Sequence, residues 1–384
     1  MDKWLNKNIL LLSLSAFFAD SGYQMIIAGL PLFIVLYLNE PVYVFGIATA
    51  IGYGGGALFG YLGGILADGR YGRKKIAILG NSLIPILSFI GFASNAVEAI
   101  SIFSTGWWAR NFRTPARRAM LSDEATPQNK AKVFGFLHAL DIGGTLTAVT
   151  LLSLFLYINL KFNVIFLISI IPITISTLCI LFVKERKKHV ENKKLEDKTV
   201  KTNSKVFRGI ILSTMLYGFS FYSMGFPVLT IAQKSTDIYG VLAYGIMMLV
   251  SALAGYLLGS VRSISKTKAL AYLGYGLAGV GSLTIGIAYE LSFNIALYIG
   301  AIVLGFSLGA IETFEPTIIA LVSKAKELGK NMGALTSSRS VGLFASNIIM
   351  GILYFSNPTY SYIYAAIIAF SASIIILIST IEKD

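Results

Sequence analysis

Apolar runs long enough to cross a bilayer recur along almost the whole of this 384-residue chain, and no other feature limits its fold so strongly. A spanning helix needs about 20 mostly apolar residues. That ruler marks twelve segments. They are 8–38, 42–67, 75–95, 97–121, 132–158 and 162–183, then 208–232, 238–262, 268–289, 293–322, 332–355 and 360–380. Gly and Pro within them are compatible with membrane helices. Only 13% of residues are charged and mean hydropathy is +0.72. A soluble domain carries about 25% charged residues, so this chain has too few to cover a water-facing surface. The predicted fold class is an all-α integral membrane protein with the lipid bilayer as its solvent.

The cations are placed asymmetrically. One set of connections holds Lys3, Lys7, Arg70, Arg73, Lys74, Lys75, Arg117, Arg118, Lys130, Lys132, Arg262, Lys266, Lys268, Lys324, Lys326, Lys330 and Lys383. The other holds only Lys161 and Lys234, beside Glu40, Glu98, Asp237 and Glu290. By the positive-inside rule the basic side is cytoplasmic. With an even number of spans, both termini are expected in the cytoplasm. This accounts for the net charge of +13 as a topology signal and removes the reason to invoke nucleic acid. The first span is not expected to be a cleaved signal. It runs past Asp20 to Leu38, and Phe17-Phe18-Ala19 lacks a small residue at the −3 position. The single cysteine, Cys179, sits in an apolar run and reads as a small packed hydrophobe.

The longest polar segment, KERKKHVENKKLEDKTVKTNSKVF, divides six spans from six. The expected domains are 1–183, a basic cytoplasmic linker at 184–207, and 208–384. The linker's mixed charge has no periodicity and suits contact with anionic headgroups; His189 within it reads as a solvated bystander. The halves echo each other. GYLGG at 60–64 returns as GYLLG at 255–259, Pro31 as Pro227, Gly46 as Gly240 and Gly135 as Gly333, at offsets of 194 to 198. Each glycine alone reads as helix packing. The steady offset points to a duplicated six-helix unit, a transporter design with its substrate site between the halves near the midplane.

Twelve spans in two sixes, joined after the second span by GGILADGRYGRKKIAILG, resemble the major facilitator superfamily. That family's loop pattern is G-x-x-x-D-R-x-G-R-R/K. Here it reads Gly64, Asp68, Arg70, Gly72, Arg73 and Lys74, with Gly69 inserted between the acid and the first arginine. The second-half equivalent, GYLLGSVRSISKTK, keeps the cations without the acid. ADSGYQMIIAGLPLF resembles the first span of a prokaryotic efflux-like branch with a D-x-S-S-E-M-like pattern, Gln24 standing at the glutamate position. NFRTPARRAMLSDEATP and FGFLHALD resemble its fourth and fifth spans, without the Gly-Pro pair of many antiporters after Gly143-Gly144. The resemblance implies two pseudo-symmetric six-helix bundles working by alternating access. It also implies that the loop gates the cytoplasmic side, with Asp68 meeting a helix N-terminus in the other half, where the backbone carries partial positive charge. The alternative is a loop that only anchors topology.

Charge in hydrocarbon costs on the order of 3 kcal/mol or more by insertion scales. Seven such residues lie away from the span ends: Asp20, Arg110, Arg113, Asp141, Glu312, Glu315 and Arg339. They fall on spans one, four, five, ten and eleven. The family resemblance puts spans one, four, seven and ten along the cavity. Arg110 and Arg113 share a helix face, as do Glu312 and Glu315. Asp20 and Gln24 form a polar strip with Tyr23 beside it. Asp141 and Arg339 are equivalent on the Gly135–Gly333 alignment. Mirror-image pairing follows as an expectation: Arg110 and Arg113 with Asp141, and Arg339 with Glu312 or Glu315. Four acids against three bases leave one carboxylate over, and a buried unpaired carboxylate tends to take a proton. Asp20 is the first candidate for a proton carrier and a span-ten glutamate the second; the alternative is that these acids only shape the cavity. His138 reads as a packed polar residue ahead of a relay. Tyr217, Phe221 and Met224, and Trp107 and Trp108, are candidates for cavity aromatics among 25 Phe, 20 Tyr and 3 Trp.

The expected function is secondary transport of a small organic solute across the cell membrane, coupled to protons and in the export direction. Uptake or uniport of a metabolite or organic anion is the alternative, and a transporter-like sensor a remote one. There is no Walker loop, no H-E-x-x-H and no metal-spaced His/Cys set. An enzyme, a cofactor and a metal site are therefore not expected. A monomer is.

Overall fold

The computed structural model describes residues 4–69, 71–126, 130–184, 204–260, 265–322 and 328–380. Eleven helical spans there are long and apolar enough to cross a membrane. They are α1 (Lys7–Tyr37), α2 (Val42–Ala67) and α3 (Arg73–Phe92), α5 (Val133–Tyr157), α6 (Phe162–Leu181), α7 (Val206–Lys234), α8 (Asp237–Gly259), α9 (Lys266–Glu290), α10 (Asn294–Ile319), α11 (Ala334–Ser356) and α12 (Pro358–Ser379). The remaining predicted span is α4 (Ala96–Glu124). Its 29 residues reach about 44 Å, but Arg110, Arg113, Arg117 and Arg118 lower its hydropathy below that of the others. No strand occurs among the described residues. The protein is an all-α membrane protein.

Sequence features set the helix ends and irregularities. Asn6 caps α1 by accepting the Ile9 amide at 2.8 Å, and Asn95 caps α4 through the Glu98 amide at 3.0 Å. Pro31 lies inside α1, and the helix continues over Phe33–Tyr37 as a wider π-helical turn. Between Ser220 and Gly225, α7 breaks. The Ser223 amide freed by the break donates to Asn347 Oδ1 on α11 at 2.9 Å. Ser220 Oγ donates to the Ala365 carbonyl of α12 at 2.7 Å. The interruption is thus satisfied by protein groups, as backbone at membrane depth requires.

The chain forms two compact units. The first holds the helices before the polar segment together with Asp237–Gly245, and the second holds the rest. Each unit repeats the same internal pairings. In the first, α1 packs on α5 and α6, α3 on α4 and α6, and α2 on α4. In the second, α7 packs on α11 and α12, and α9 on α10 and α12; α8 meets α10 where Gly305 and Gly309 face the backbone of Met247 and Ser251. The most buried spans of the two units are α1 and α7, with 83% and 72% of their apolar windows covered. Close approach on this scale needs small residues. At Gly63, any side chain would run into the Phe112 carbonyl of α4. Large apolar side chains such as Leu58, Leu257, Ile367 and Ile378 are exposed, as a lipid-facing surface requires.

Candidate functional site

The polar centre of the first unit is built around Tyr23, wholly buried on α1. Its hydroxyl donates to Asp20 Oδ1, one turn back on the same helix. The same hydroxyl accepts Arg110 Nη2 of α4 at 3.3 Å. The guanidinium lies 4.9 Å from the Trp107 ring centroid and 5.4 Å from that of Tyr23, within cation–π range. A cation, a phenol and a carboxylate therefore form a chain across the α1–α4 contact. Asp20 is only 5% exposed, and among the described residues no Lys or Arg lies within ion-pair distance of it. Gly144 of α5 lets the two helices meet here: a Cβ at that position would sit 3.0 Å from the Asp20 Cβ. Gln24, the next polar position along α1, accepts the Tyr244 hydroxyl at 2.8 Å. Tyr244 belongs to the stretch that groups with the first unit.

The expected pairing of Arg110 and Arg113 with Asp141 does not occur. Arg113, with no exposed surface, turns toward α3 and donates to Asn81 Oδ1 at 2.6 Å. Asn81 in turn donates to Thr177 Oγ1 at 2.7 Å on α6. The partner of Asp141 is Arg117, at 3.7 Å. Spacing explains the error. Positions 110, 113 and 117 follow the helical period, so Arg117 continues the same stripe one turn further, although it reads as a loop cation by charge-counting. With Arg117 included, the intramembrane cluster has four acids and four bases, and no carboxylate is left over by counting. The balance differs between units. The first unit holds Asp20 and Asp141 with three arginines, one of them turned toward Asn81, whereas the second holds Glu312 and Glu315 with one.

In the second unit Arg339 of α11 donates through Nη1 to Glu312 Oε1 and through Nη2 to Glu315 Oε2, both on α10. The two carboxylates, one helical turn apart, are bridged by one planar fork, the arrangement for which a guanidinium is suited. Glu315 is wholly buried and also accepts the Tyr275 hydroxyl of α9 at 2.7 Å. Tyr275 is further held by Thr214 at 3.0 Å and stacks on Tyr217 at 4.7 Å. Phe221 of α7 has its ring centroid 6.0 Å from the Arg339 Cζ. The sequence marks Glu312, Glu315 and Arg339 through their charge and spacing. Tyr275, Asn81 and Asn347 carry no such mark, because neutral polar residues are common in membrane spans. Trp108 donates to the Ile51 carbonyl and stacks on Phe59, a packing role. His138 is exposed.

Of the loop residues, Arg70 and the side chain of Asp68 lie outside the described residues. Gly72 has φ 81°, a region that favours glycine, and opens α3. Arg73 pairs with Asp123 at the end of α4 at 2.5 Å, and Lys74 donates to the Leu181 carbonyl at the end of α6 at 2.8 Å. The loop's cations thus tie the start of α3 to two neighbouring helix ends of the same unit. Gly64 faces Pro115 of α4 at ordinary van der Waals distance. No group of three His, Cys, Asp or Glu side chains is arranged to hold a metal ion among the described residues.

Residues 12–313 match the family model for the Major Facilitator Superfamily. The chain belongs to the major facilitator superfamily. Over 393 aligned positions it is 24% identical to an uncharacterized MFS-type transporter of Methanocaldococcus jannaschii, covering 98% of this chain and 96% of the relative. Among solved structures it is similar to a D-xylose–proton symporter, with TM-score 0.76, 15% identity and 96% of each chain covered. A nucleoside transporter gives TM-score 0.76 at 12% identity, covering 97% of this chain and 98% of the other. A POT family transporter gives 0.74 at 13%, covering 96% and 95%. At these identities the likenesses establish the fold. The protein is a multi-pass membrane transporter of the MFS type.

Proposed function

We propose that this MFS transporter moves a small organic solute by alternating access, coupled to protons through Asp20, and exports it from the cell. The observation that supports coupling is the environment of Asp20. It is a buried carboxylate with no ion-pair partner among the described residues, held by a phenol that also contacts Arg110. Burial without a direct ion pair makes Asp20 the acid best suited to exchange a proton when its surroundings at Tyr23 and Arg110 rearrange. Export is favoured by the resemblance of spans one, four and five to efflux-like branches. On this reading both termini are cytoplasmic, the six-helix bundles 1–183 and 208–384 are the moving bodies, the chain works as a monomer, and the protein is not an enzyme. Asp20, Gln24, Arg110, Arg113, Asp141, Glu312, Glu315 and Arg339 make up the substrate and proton pathway, with the loop from Gly64 to Lys74 as a cytoplasmic gate.

Uptake of an organic anion is the second reading. It draws on the arginine excess of the first unit and on Arg110 Nε, Arg113 Nε and Nη2, and Arg117 Nε and Nη1, all buried without hydrogen-bond partners among the described residues. The test uses inside-out membrane vesicles with an acidic interior, a pH-sensitive dye, and panels of lipophilic cations, organic anions and sugars. Proton release on adding a compound, abolished in Asp20→Asn, is the expected result. No release by any compound, in vesicles containing folded protein, would favour uptake or uniport.

A further inference from the structure

On the flank of the second unit an open groove of about 290 Å³ follows one face of α9. Val280, Thr284, Ile287 and Leu291 line it at helical spacing, and Phe293 and Ala296 wall its other side from the turn into α10. Val280, Ile287, Leu291 and Phe293 are between 43% and 71% exposed, so no element covers the groove among the described residues. Thr284, the polar member of this set, spends its hydroxyl on the Val280 carbonyl of its own helix at 2.8 Å. From Val280 to Leu291 the groove runs about 17 Å along the helix axis. Half of a bilayer's hydrocarbon core is about 15 Å. The groove is thus one leaflet long, and it ends where α9 itself ends. A cation stands at that end. Lys234, the last residue of α7, donates through Nζ to Ser292 Oγ at 3.1 Å and lies 4.3 Å from the Tyr289 ring centroid. Ser292 sits between Leu291 and Phe293 of the groove wall. Among the described residues no carboxylate is within ion-pair distance of Lys234. Glu290, the acid of the same turn, accepts the Thr359 hydroxyl of α12 at 3.1 Å instead. Tyrosine and lysine at a helix end mark the membrane–water boundary.

We propose that this groove seats one hydrocarbon chain of a membrane phospholipid with an anionic headgroup, whose phosphate is held by Lys234 and Ser292. Each part of the site selects one part of that lipid. The apolar slot has the length of a chain in one leaflet, and the cation without a counter-ion stands where the headgroup begins. A zwitterionic lipid fits the slot equally well but brings a second cation beside Lys234. A soluble anion would use the lysine and leave the apolar slot unused. This site lies outside the solute and proton pathway and does not depend on the transport reading.

Quenching of tryptophan fluorescence by brominated lipid reads occupancy locally. The full-length protein is reconstituted into phosphatidylcholine vesicles with a rising share of dibrominated phosphatidylglycerol or dibrominated phosphatidylcholine. The reporters are Phe293→Trp at the mouth, Val280→Trp at the far end, and Val97→Trp as a control at the start of α4, where the side chain is exposed. The signal of Trp4, Trp107 and Trp108 is subtracted using protein without a reporter. The expected result at both groove reporters is a preference of about fivefold for phosphatidylglycerol, the attraction of one lysine for anionic lipid. The control should show no preference. Lys234→Gln should abolish the preference in the groove, and Lys234→Arg should keep it. No preference at either groove reporter would overturn the proposal, because the groove would then take bulk lipid only. A preference unchanged by Lys234→Gln, or shared by the control, would overturn it as well. A preference at the mouth that is absent at Val280→Trp would overturn the seating of the chain.

Discussion

Replacing Arg339 with Gln should destabilise the second unit far more than replacing the exposed glutamate it holds. The structure gives the reason. Arg339→Gln leaves Glu315, with no exposed surface, supported among the described residues by the Tyr275 hydroxyl alone. Removing one partner of a buried ion pair costs about 3–5 kcal/mol, because the remaining charge is uncompensated. At about 2–4 °C per kcal/mol for a unit of this size, the unfolding midpoint should fall by roughly 6–20 °C. Glu312→Gln removes a pair that is 57% exposed on the glutamate side. Its cost should be about 1 kcal/mol or less. The double variant Glu315→Gln/Arg339→Gln removes both charges and should recover most of the loss, with a coupling energy of roughly 2 kcal/mol or more. Thermal unfolding of purified protein, followed by intrinsic fluorescence in one detergent and at one pH, gives all four values. The reasoning is refuted if Arg339→Gln unfolds within about 2 °C of wild type. It is refuted equally if Glu312→Gln and Glu315→Gln cost the same, or if the double variant is no better than the Arg339 single.

The other predictions concern helix contacts. Gly144→Leu should abolish folding or transport, because even a Cβ there lies 3.0 Å from the Asp20 Cβ; Gly143→Ala, facing Phe17 at 3.6 Å, should be tolerated, and the folded yield in membranes distinguishes the two. Asn347→Ala should cost about 1–3 kcal/mol by leaving the buried Ser223 amide at the α7 break without its acceptor, measured by thermal unfolding and by hydrogen exchange at residues 220–225. Asp123→Arg should impair transport, and Arg73→Asp in the same chain should restore part of it, if their 2.5 Å pair orders the start of α3. Arg113→Lys should be destabilising despite keeping the charge, since a lysine ammonium does not reproduce the planar contact with Asn81.

The spans were legible because hydrocarbon imposes a length and a polarity that composition alone reveals. The internal offset rests on GYLGG and GYLLG and on single glycines, of which Gly135 meets nothing within 4 Å, so the pattern and not a tight contact at each glycine carries it. Among the charges, Glu312, Glu315 and Arg339 were readable from one turn of spacing and one internal offset. The first-unit pairing was not, for two physical reasons. Arg117 sits near a helix end, where a snorkelling topology cation and an inward-facing partner look alike in sequence. Arg113 is held by a neutral asparagine, and Asn81 has no charge to announce it. Symmetry also misled. The offset equates Asp141 with Arg339, yet the surroundings of the two positions diverged, with Arg339 forking between two acids and Asp141 held at 3.7 Å by one arginine. The break in α7 was likewise hidden, since FYSMG reads as a continuation of an apolar run. Its stability depends on Asn347, 124 residues away from Ser223.

Proton coupling through Asp20 is the central claim, and solute-driven proton movement tests it most directly. In inside-out vesicles with an acidic interior, at least one probe from the panels of lipophilic cations, organic anions and sugars should release protons from wild-type vesicles. Asp20→Asn vesicles holding the same amount of folded protein should release none, while still binding the probe. Equal proton release by wild type and Asp20→Asn would contradict the account and remove Asp20 from the coupling pathway.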